Sequence, residues 1–451
     1  MKPLDQPTVK IDTFTPNGYG LGTLNGLKVF VIGSVPGDVV TIKIKKKKKR
    51  HAIATVTNFI TTSPLRETTP CTHFPECGGC QIIDINYDKQ LTLKETLFKD
   101  NIKHTFPNTP LNIQPIIASQ NNRYYRNKME FAFGYNINKE IILGLKKRGH
   151  YDTIIETTQC QLQDKQTHQL IQFFKLFFQA HPLTVWDYHT NTGCLCHLMV
   201  RHSKTKDTFM IQLNVTESHP QIYQTLVNKI AKKFPNLVSI FLKMKTTPPI
   251  LLYGKPTITE NIGKLSFNIS PQSFFQPNSK QAETLYNEVK KASALTGTEI
   301  VYDLYCGTGT IGLYLANKAK HIYGIEEVPQ AIQNAIKNAT KNNITNVHFL
   351  VGRVKNKLKE IIEGKNNNIP KPDCIIIDPP RSGIVPKALN RIIQLKPKKI
   401  VYVSCNPDTL LRDIQELLSA NYKITNIQPI DMFPNTFHLE VVTTLIISPN
   451  I

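Results

Sequence analysis

Acidic side chains are scarce in this chain: 33 Asp and Glu stand against 55 Lys and Arg, for a formal charge of +22. That deficit argues for a polyanionic partner, most simply nucleic acid, although a Lys-, Asn- and Ile-rich composition carries the same bias without one. Long hydrophobic runs are missing as well. Nothing reaches the roughly 18 consecutive apolar residues of a membrane span. The first residues, Met1-Lys2-Pro3-Leu4-Asp5-Gln6-Pro7, lack the apolar core of a signal peptide. The expectation is a cytoplasmic protein with no membrane partner. No heptad pattern suggests assembly, so a monomer is expected, and no internal repeat is visible. Cysteine is present but odd in number, nine in all, and clustered. That count excludes a fully paired disulfide framework and favours a metal site or catalysis.

What is present divides the 451 residues into four segments, within the roughly two to four domains such a length allows. Residues 1–60 alternate short β-rich runs with glycine turns, from Asn17-Gly18-Tyr19-Gly20-Leu21-Gly22 through Asn25-Gly26 and Val29-Phe30-Val31-Ile32 to Val35-Pro36-Gly37-Asp38. This pattern predicts a small β-barrel. The run Lys45-Lys46-Lys47-Lys48-Lys49-Arg50 reads as a hairpin end suited to phosphate contacts. Residues 61–104 hold Cys71, Cys77, Gly78, Gly79 and Cys80, then a helix from 81 to about 100. Three thiolates need a fourth for a tetrahedral site, and Cys160 is the best candidate. Zinc and an iron–sulfur cluster both accept four thiolates. His73, inside the loop, reads as a surface residue.

Residues 105–260 read as a central α+β domain that adds nucleic-acid surface. Arg123-Tyr124-Tyr125-Arg126-Asn127-Lys128 mixes aromatic and basic residues, which suits base stacking and a half-buried strand equally. Lys146-Lys147-Arg148 forms a further basic turn, Phe173 through Phe178 a buried helix face, and Cys194 and Cys196 lie structurally along a strand. From 261 to 451 strands and helices alternate, predicting a parallel sheet covered on both faces. Its expected strands are 299–304, 321–325, 346–351, 373–378 and 399–404. Two further strands, Tyr422 to Pro429 and Leu439 to Ile447, have no helix between them and pair antiparallel at the edge.

The first of those strands ends in Asp303-Leu304-Tyr305-Cys306-Gly307-Thr308-Gly309-Thr310, and the next in Gly324-Ile325-Glu326. Glycines there let a ligand approach a helix N-terminus, and the carboxylate can accept two ribose hydroxyls. Gly307, Gly309 and Gly312 satisfy the dinucleotide fingerprint, so an NAD oxidoreductase is one reading. The Asp303-to-Gly309 form is similar to the first motif of S-adenosylmethionine (SAM) methyltransferases. Asp378-Pro379-Pro380-Arg381 favours the latter, because NAD enzymes give no reason for it.

Ser404-Cys405-Asn406-Pro407 follows the buried run Lys399-Ile400-Val401-Tyr402-Val403, where ligand crevices open in α/β sheets. Carbon 5 of uracil is too weak a nucleophile to take a methyl group unaided. A thiolate adding to carbon 6 activates it, and a base must later remove the carbon 5 proton. Cys405 supplies the thiolate. Phe437-His438-Leu439-Glu440 supplies the base, with Glu440 preferred to His438 because burial raises a carboxyl toward a useful range.

Along essentially its whole length the chain resembles the RNA uracil-5-methyltransferases of the iron–sulfur 23S rRNA type. The matching residues are a start similar to a TRAM domain, Cys71, Cys77, Cys80 and Cys160, Phe274-Phe275-Gln276-Pro277-Asn278, and the motifs at 303–309, 324–326, 378–381, 404–407 and 437–440. The resemblance implies a Rossmann-like SAM-dependent methyltransferase domain, an N-terminal OB-like TRAM barrel and a central α+β domain. It implies a [4Fe-4S] cluster on the four cysteines, with zinc as the alternative ion. It implies SAM contacts from Gln276, Tyr305, Glu326 and Asp378, Cys405 as nucleophile and Glu440 as base. Tyr305 stands where Phe is frequent; Thr310 departs from an Asn of some relatives, and Arg353 falls in a variable region. The implied partner is 23S rRNA, with the tRNA T-loop uridine as the alternative. A non-catalytic RNA-binding scaffold would need neither Cys405 nor Glu440.

Overall fold

The computed structural model describes residues 7–15, 18–69, 71–365 and 369–448; Met1–Gln6 and Asn17 of the first turn lie outside them. Five strands, Thr8–Phe14, Gly20–Leu24, Leu27–Ile32, Val39–Lys47 and His51–Thr61, close into a barrel. Alternating Val9, Ile11, Val29, Val31, Val40 and Ile42 fill its interior, as period-two side chains must. Gly22 is required where two strands approach: a Cβ there would lie 2.3 Å from the Lys10 carbonyl oxygen. The Val35–Asp38 turn is locked by the buried Asp38 carboxylate, which accepts from Val35 N–H at 2.7 Å and Ser63 N–H at 2.8 Å. Arg66 bridges Asp38 at 2.7 Å and also pairs with Asp84, tying the barrel to the cysteine-bearing segment. Lys45–Arg50 is an exposed hairpin end between the last two strands.

The cysteine segment continues as loop to Asn86. The helix expected from 81 begins only at Tyr87 and runs to Thr105, with the Asn86 side chain accepting from Asp88 N–H. Ile82 and Ile85, ahead of the helix, pack against Phe14 and Val35 of the barrel. Phe98 and Ile102 of this helix join Ile427 and Leu439 in the core of the C-terminal sheet.

A seven-stranded sheet forms the middle of the chain, in the order Ile250–Gly254, Leu237–Met244, Thr208–Val215, Leu195–Ser203, Lys128–Tyr135, Ile141–Lys146, Ile154–Glu156. Helices Lys165–Ala180 and Pro220–Lys233 pack Leu170, Phe174, Phe178, Leu226 and Ile230 against it. Tyr125 is buried and its hydroxyl donates to the Pro434 carbonyl at 3.0 Å, so it is no stacking surface. Arg148 donates to the Cys80 carbonyl and lies over Phe74, and Lys147 pairs with Glu76; this basic turn braces the cysteine loop.

The C-terminal sheet orders its strands Val347–Val351, His321–Glu326, Ile300–Leu304, Cys374–Ile377, Lys399–Ser404, Glu440–Ile447, Tyr422–Ile430. The first five are parallel and the last two antiparallel, with the final strand of the chain inserted beside Lys399–Ser404. Helices cover both faces, so strand residues are buried on both sides. Ile400 and Tyr402 face one core layer, Val401 and Val403 the other. Each such buried aliphatic contributes about 1.5–3 kcal/mol. The architecture is a largely parallel, helix-covered sheet behind an N-terminal closed barrel.

Candidate active site

Strand direction brings the chemistry together. Lys399–Ser404 ends, and the antiparallel strand Glu440–Ile447 begins, at the same sheet edge; Ser404 pairs with Val441, so Cys405 and Glu440 are the next residues outward on neighbouring strands. Asp378 follows Cys374–Ile377, which pairs parallel to the cysteine strand with Ile377 opposite Tyr402. All three open into one cavity of about 1090 Å³, which Gln276, Tyr305 and Glu326 also line. Every residue expected to bind SAM or do chemistry therefore faces one space, and Arg353 and Thr310 face it too.

The turn at Cys405 is held from several directions. Asn406 N–H donates to Ser404 Oγ at 3.1 Å, and the Asn406 amide donates to the Arg381 carbonyl at 2.8 Å. Asn406 then caps helix Pro407–Ser419, with Pro407 at its first position. Half-buried Cys405 has its thiol pushed up to about 11, chiefly by burial and then by Glu440 and Asp378, while Arg381 opposes them. Glu440 is fully buried, and burial with Asp378 nearby holds its carboxyl well above the usual range. His438 is driven the other way, to about 4, by burial and then Arg381. Its ring nitrogens lie 3.1 Å from Arg381 Nη2, a contact for a neutral imidazole.

The glycine loop forms the opposite wall. Tyr305, Gly307 and Gly309 have φ of 63°, 53° and 75°, the left-handed region. Gly309 is obligatory, since a Cβ would strike Phe349 at 2.7 Å, whereas Gly307 borders open space. Asp303 braces this loop through Oδ2, which accepts from Gly312 N–H at 2.9 Å; its buried Oδ1 has no partner. Burial lifts Asp303 and Asp378 each to about 7. The Glu326 carboxylate is fixed by Gly307 N–H at 3.1 Å and Val328 N–H at 2.9 Å. This wall is rich in acceptors, has one orphaned buried oxygen, and suits a cationic ligand carrying hydroxyls and amines. Tyr286, which no sequence motif marks, lines the same space and donates to Thr310 Oγ1 at 3.0 Å.

A second cavity of about 670 Å³ lies between the barrel, the cysteine loop and the central sheet, lined by Gly33, Arg126, Lys128, Lys146 and Arg148. It shares Gln81, Arg126 and Phe274 with the first, and Phe274 is 67 % exposed. The four expected ligand cysteines converge as well: Cys71, Cys77, Cys80 and Cys160 line one small pocket. Gly79 N–H donates to Cys77 Sγ at 3.4 Å, and a Cβ at Gly79 would lie 3.5 Å from that sulfur. Burial pushes Cys160 up to about 11 and raises Cys80 well above its ordinary value, with neighbouring thiols adding to both. A metal bound there would deprotonate the thiols. His73 accepts from Thr158 N–H at 3.1 Å and stays outside the four.

Known proteins similar to this chain identify its family. Residues 257–447 match the tRNA (uracil-5-)-methyltransferase family, and residues 7–57 match the TRAM domain. An uncharacterised RNA methyltransferase of Clostridium tetani is 36 % identical over 433 residues, 94 % of this chain and 93 % of that protein. One from Bacteroides thetaiotaomicron is 36 % identical, covering 95 % of this chain and 98 % of that one. The crystal structure of Pyrococcus abyssi tRNA (uracil-54, C5)-methyltransferase with S-adenosyl-L-homocysteine superposes with a TM-score of 0.75 at 26 % identity, over 98 % of this chain and 100 % of that one. Among the described residues no helix is long and apolar enough to cross a membrane.

Proposed function

Because this chain belongs to the RNA methyltransferases that join a TRAM domain to a tRNA (uracil-5-)-methyltransferase domain, we propose that it methylates carbon 5 of one uridine in RNA through a transient bond from Cys405 to carbon 6. One observation carries this reading: Cys405 and Glu440 stand at the paired ends of antiparallel neighbours and open into one cavity. Gln276, Tyr305, Glu326 and Asp378 hold SAM, which supplies an electrophilic methyl group when bound. Cys405 attacks carbon 6 as its thiolate, and the displaced ring electrons make carbon 5 nucleophilic. After carbon 5 is methylated, Glu440 takes its proton. The C–H electrons re-form the carbon 5–carbon 6 double bond, and the carbon–sulfur bond breaks to release the thiolate. The basic groove beside Phe274 receives the RNA strand around the extruded base.

The combination of the TRAM domain with the cysteine cluster favours 23S rRNA as the substrate. The whole-length likeness to a tRNA enzyme supports a second reading, the tRNA loop. Mass spectrometry of ribosomal and transfer RNA nucleosides from cells with and without the gene decides between them. Loss of 5-methyluridine from one rRNA fragment is the expected result, and loss confined to tRNA selects the second reading. No change in either would sink the uracil-5 activity and reopen NAD binding and the scaffold role.

We further propose that Cys71, Cys77, Cys80 and Cys160 hold a [4Fe-4S] cluster that pins the loop. Iron with acid-labile sulfide in the isolated protein, absent from a Cys160→Ala variant, is expected; zinc without sulfide would replace the cluster by a single ion.

Charge compensation makes cofactor binding pH-dependent. Burial lifts Asp303 and Asp378 each to about 7. A cation entering this cavity lowers those values, so SAM binding releases protons. Its affinity therefore rises with pH up to about 7 and levels off above, by about tenfold per pH unit for each proton released. S-adenosylhomocysteine lacks the sulfonium charge and shows a shallower slope. Calorimetry in buffers of different ionisation enthalpy measures both; equal proton release for the two ligands refutes the argument.

A further inference from the structure

The segment from Asp431 to Leu439 leads into the strand that starts at Glu440, and one helix face is devoted to holding it. Tyr87, Gln90 and Lys94 lie at the i, i+3 and i+7 positions of helix Tyr87–Thr105, a single stripe. Gln90 brackets Asn435, donating to its side-chain oxygen at 3.1 Å and accepting from its backbone N–H at 2.9 Å. The Tyr87 hydroxyl donates to Asp431 Oδ2 at 2.7 Å and accepts from Ser119 N–H at 2.7 Å. Lys94 is the centre of the arrangement. Its side chain is 1 % exposed, and Nζ reaches Asp431 Oδ1 at 2.6 Å, the Phe433 carbonyl at 3.1 Å and the His438 carbonyl at 3.2 Å. An ammonium has three protons, and all three are used within this one segment.

A buried ion pair is a costly way to hold a loop, since an apolar pair of similar volume is commonly as stable. Its advantage is direction. The three acceptors fix the path of the backbone to the His438 carbonyl, two residues before Glu440. They also fix the His438 ring against Arg381, which faces Cys405. The cysteine loop joins the same clamp: Gln81, next to Cys80, donates its N–H to the Asn435 carbonyl at 2.8 Å and accepts from Phe437 N–H at 2.9 Å.

We infer that Lys94 is a positioning residue for the proton-abstracting carboxyl, acting through the 431–438 segment and without touching substrate. The inference rests on Glu440 being the base of the uridine reaction. Its signature is a change in one step only: removal of the carbon 5 proton slows, while formation of the Cys405–carbon 6 bond and binding of RNA and SAM do not.

The test is single-turnover kinetics with substrate RNA, following covalent enzyme–RNA adduct on denaturing gels. The variants are Lys94→Met with Asp431→Leu, which keeps the buried pair neutral, and Tyr87→Phe, which removes one oxygen atom and leaves the fold intact. The double variant is expected to resolve the methylated adduct about 100-fold more slowly, the scale of a displacement near 1 Å. Tyr87→Phe gives a smaller change of the same kind, and adduct forms at the wild-type rate in both. Resolution at the wild-type rate in either variant, or equal losses in RNA binding, adduct formation and resolution, overturns the inference and leaves Lys94 as fold stabilisation. If the wild-type enzyme forms no adduct with RNA, the uridine reading itself fails, a result separable from any behaviour of Lys94.

Discussion

Replacing Cys405 with Ala abolishes 5-methyluridine formation and the covalent RNA adduct together, while SAM still binds with an affinity within about twofold of wild type. The loss in turnover is on the order of 10⁴–10⁶, the range for removing a nucleophile from a site whose other parts remain. Binding survives because the acceptors facing the cofactor cavity, Glu326 and Asp303, are fixed by Gly307, Val328 and Gly312 N–H groups and not by the cysteine turn. The turn itself keeps its shape, since Asn406 holds it through Ser404 and the Arg381 carbonyl. In the wild-type enzyme the thiol lies at about 11, so about one molecule in 10⁴ carries a thiolate at pH 7. Adduct formation should therefore climb about tenfold per pH unit through the neutral range. Gel-shift of denatured protein with RNA and filter binding of labelled SAM make the two measurements. Methylation by Cys405→Ala at more than a few thousandths of the wild-type rate would remove Cys405 from the mechanism.

Much of this site was legible because parallel strands buried on both faces read as unbroken apolar runs. Cys374–Ile377 is buried at every position, and Lys399–Ser404 is found where the sequence predicts it. Short polar motifs directly after such runs mark the ligand edge. For that reason Asp303, Glu326, Asp378 and Cys405 could be picked out before any coordinates. Glu440 was legible for the opposite reason, as an acidic residue entering an apolar strand. Local pattern failed where an apolar run served a distant partner. Ile82 and Ile85, inside the span expected to be helical, pack on the barrel instead, and the Asn86 cap marks where the helix starts. The Tyr125 segment suited base stacking and a half-buried strand equally, and the contact that decides for burial, its hydroxyl on Pro434, lies more than three hundred positions away. Lys94 gave no signal at all, because its partners Asp431, Phe433 and His438 lie 337 to 344 residues along the chain.

Glu440→Gln separates the two halves of the reaction, because only the second needs a proton acceptor. Glutamine keeps the shape of a fully buried side chain at the start of a strand but cannot accept a proton from carbon. Proton removal then stalls, with turnover falling by about 10²–10⁴ as for loss of a positioned base. The first half needs no proton acceptor at this position, so adduct still forms. The expected result is a burst of one methyl group per enzyme, followed by RNA held covalently on Cys405. If the variant forms no adduct, Glu440 acts before methyl transfer and is not the terminal base. If it turns over normally, the proton goes to His438, the other candidate from the same motif. The surroundings of His438 oppose that outcome. Burial and the Arg381 guanidinium hold its imidazole near 4, and a ring that refuses protons at neutral pH is a weak base for carbon. Glu440, buried beside Asp378 and raised well above an ordinary carboxyl, has the proton affinity the step demands and lies on the strand next to the sulfur that must leave.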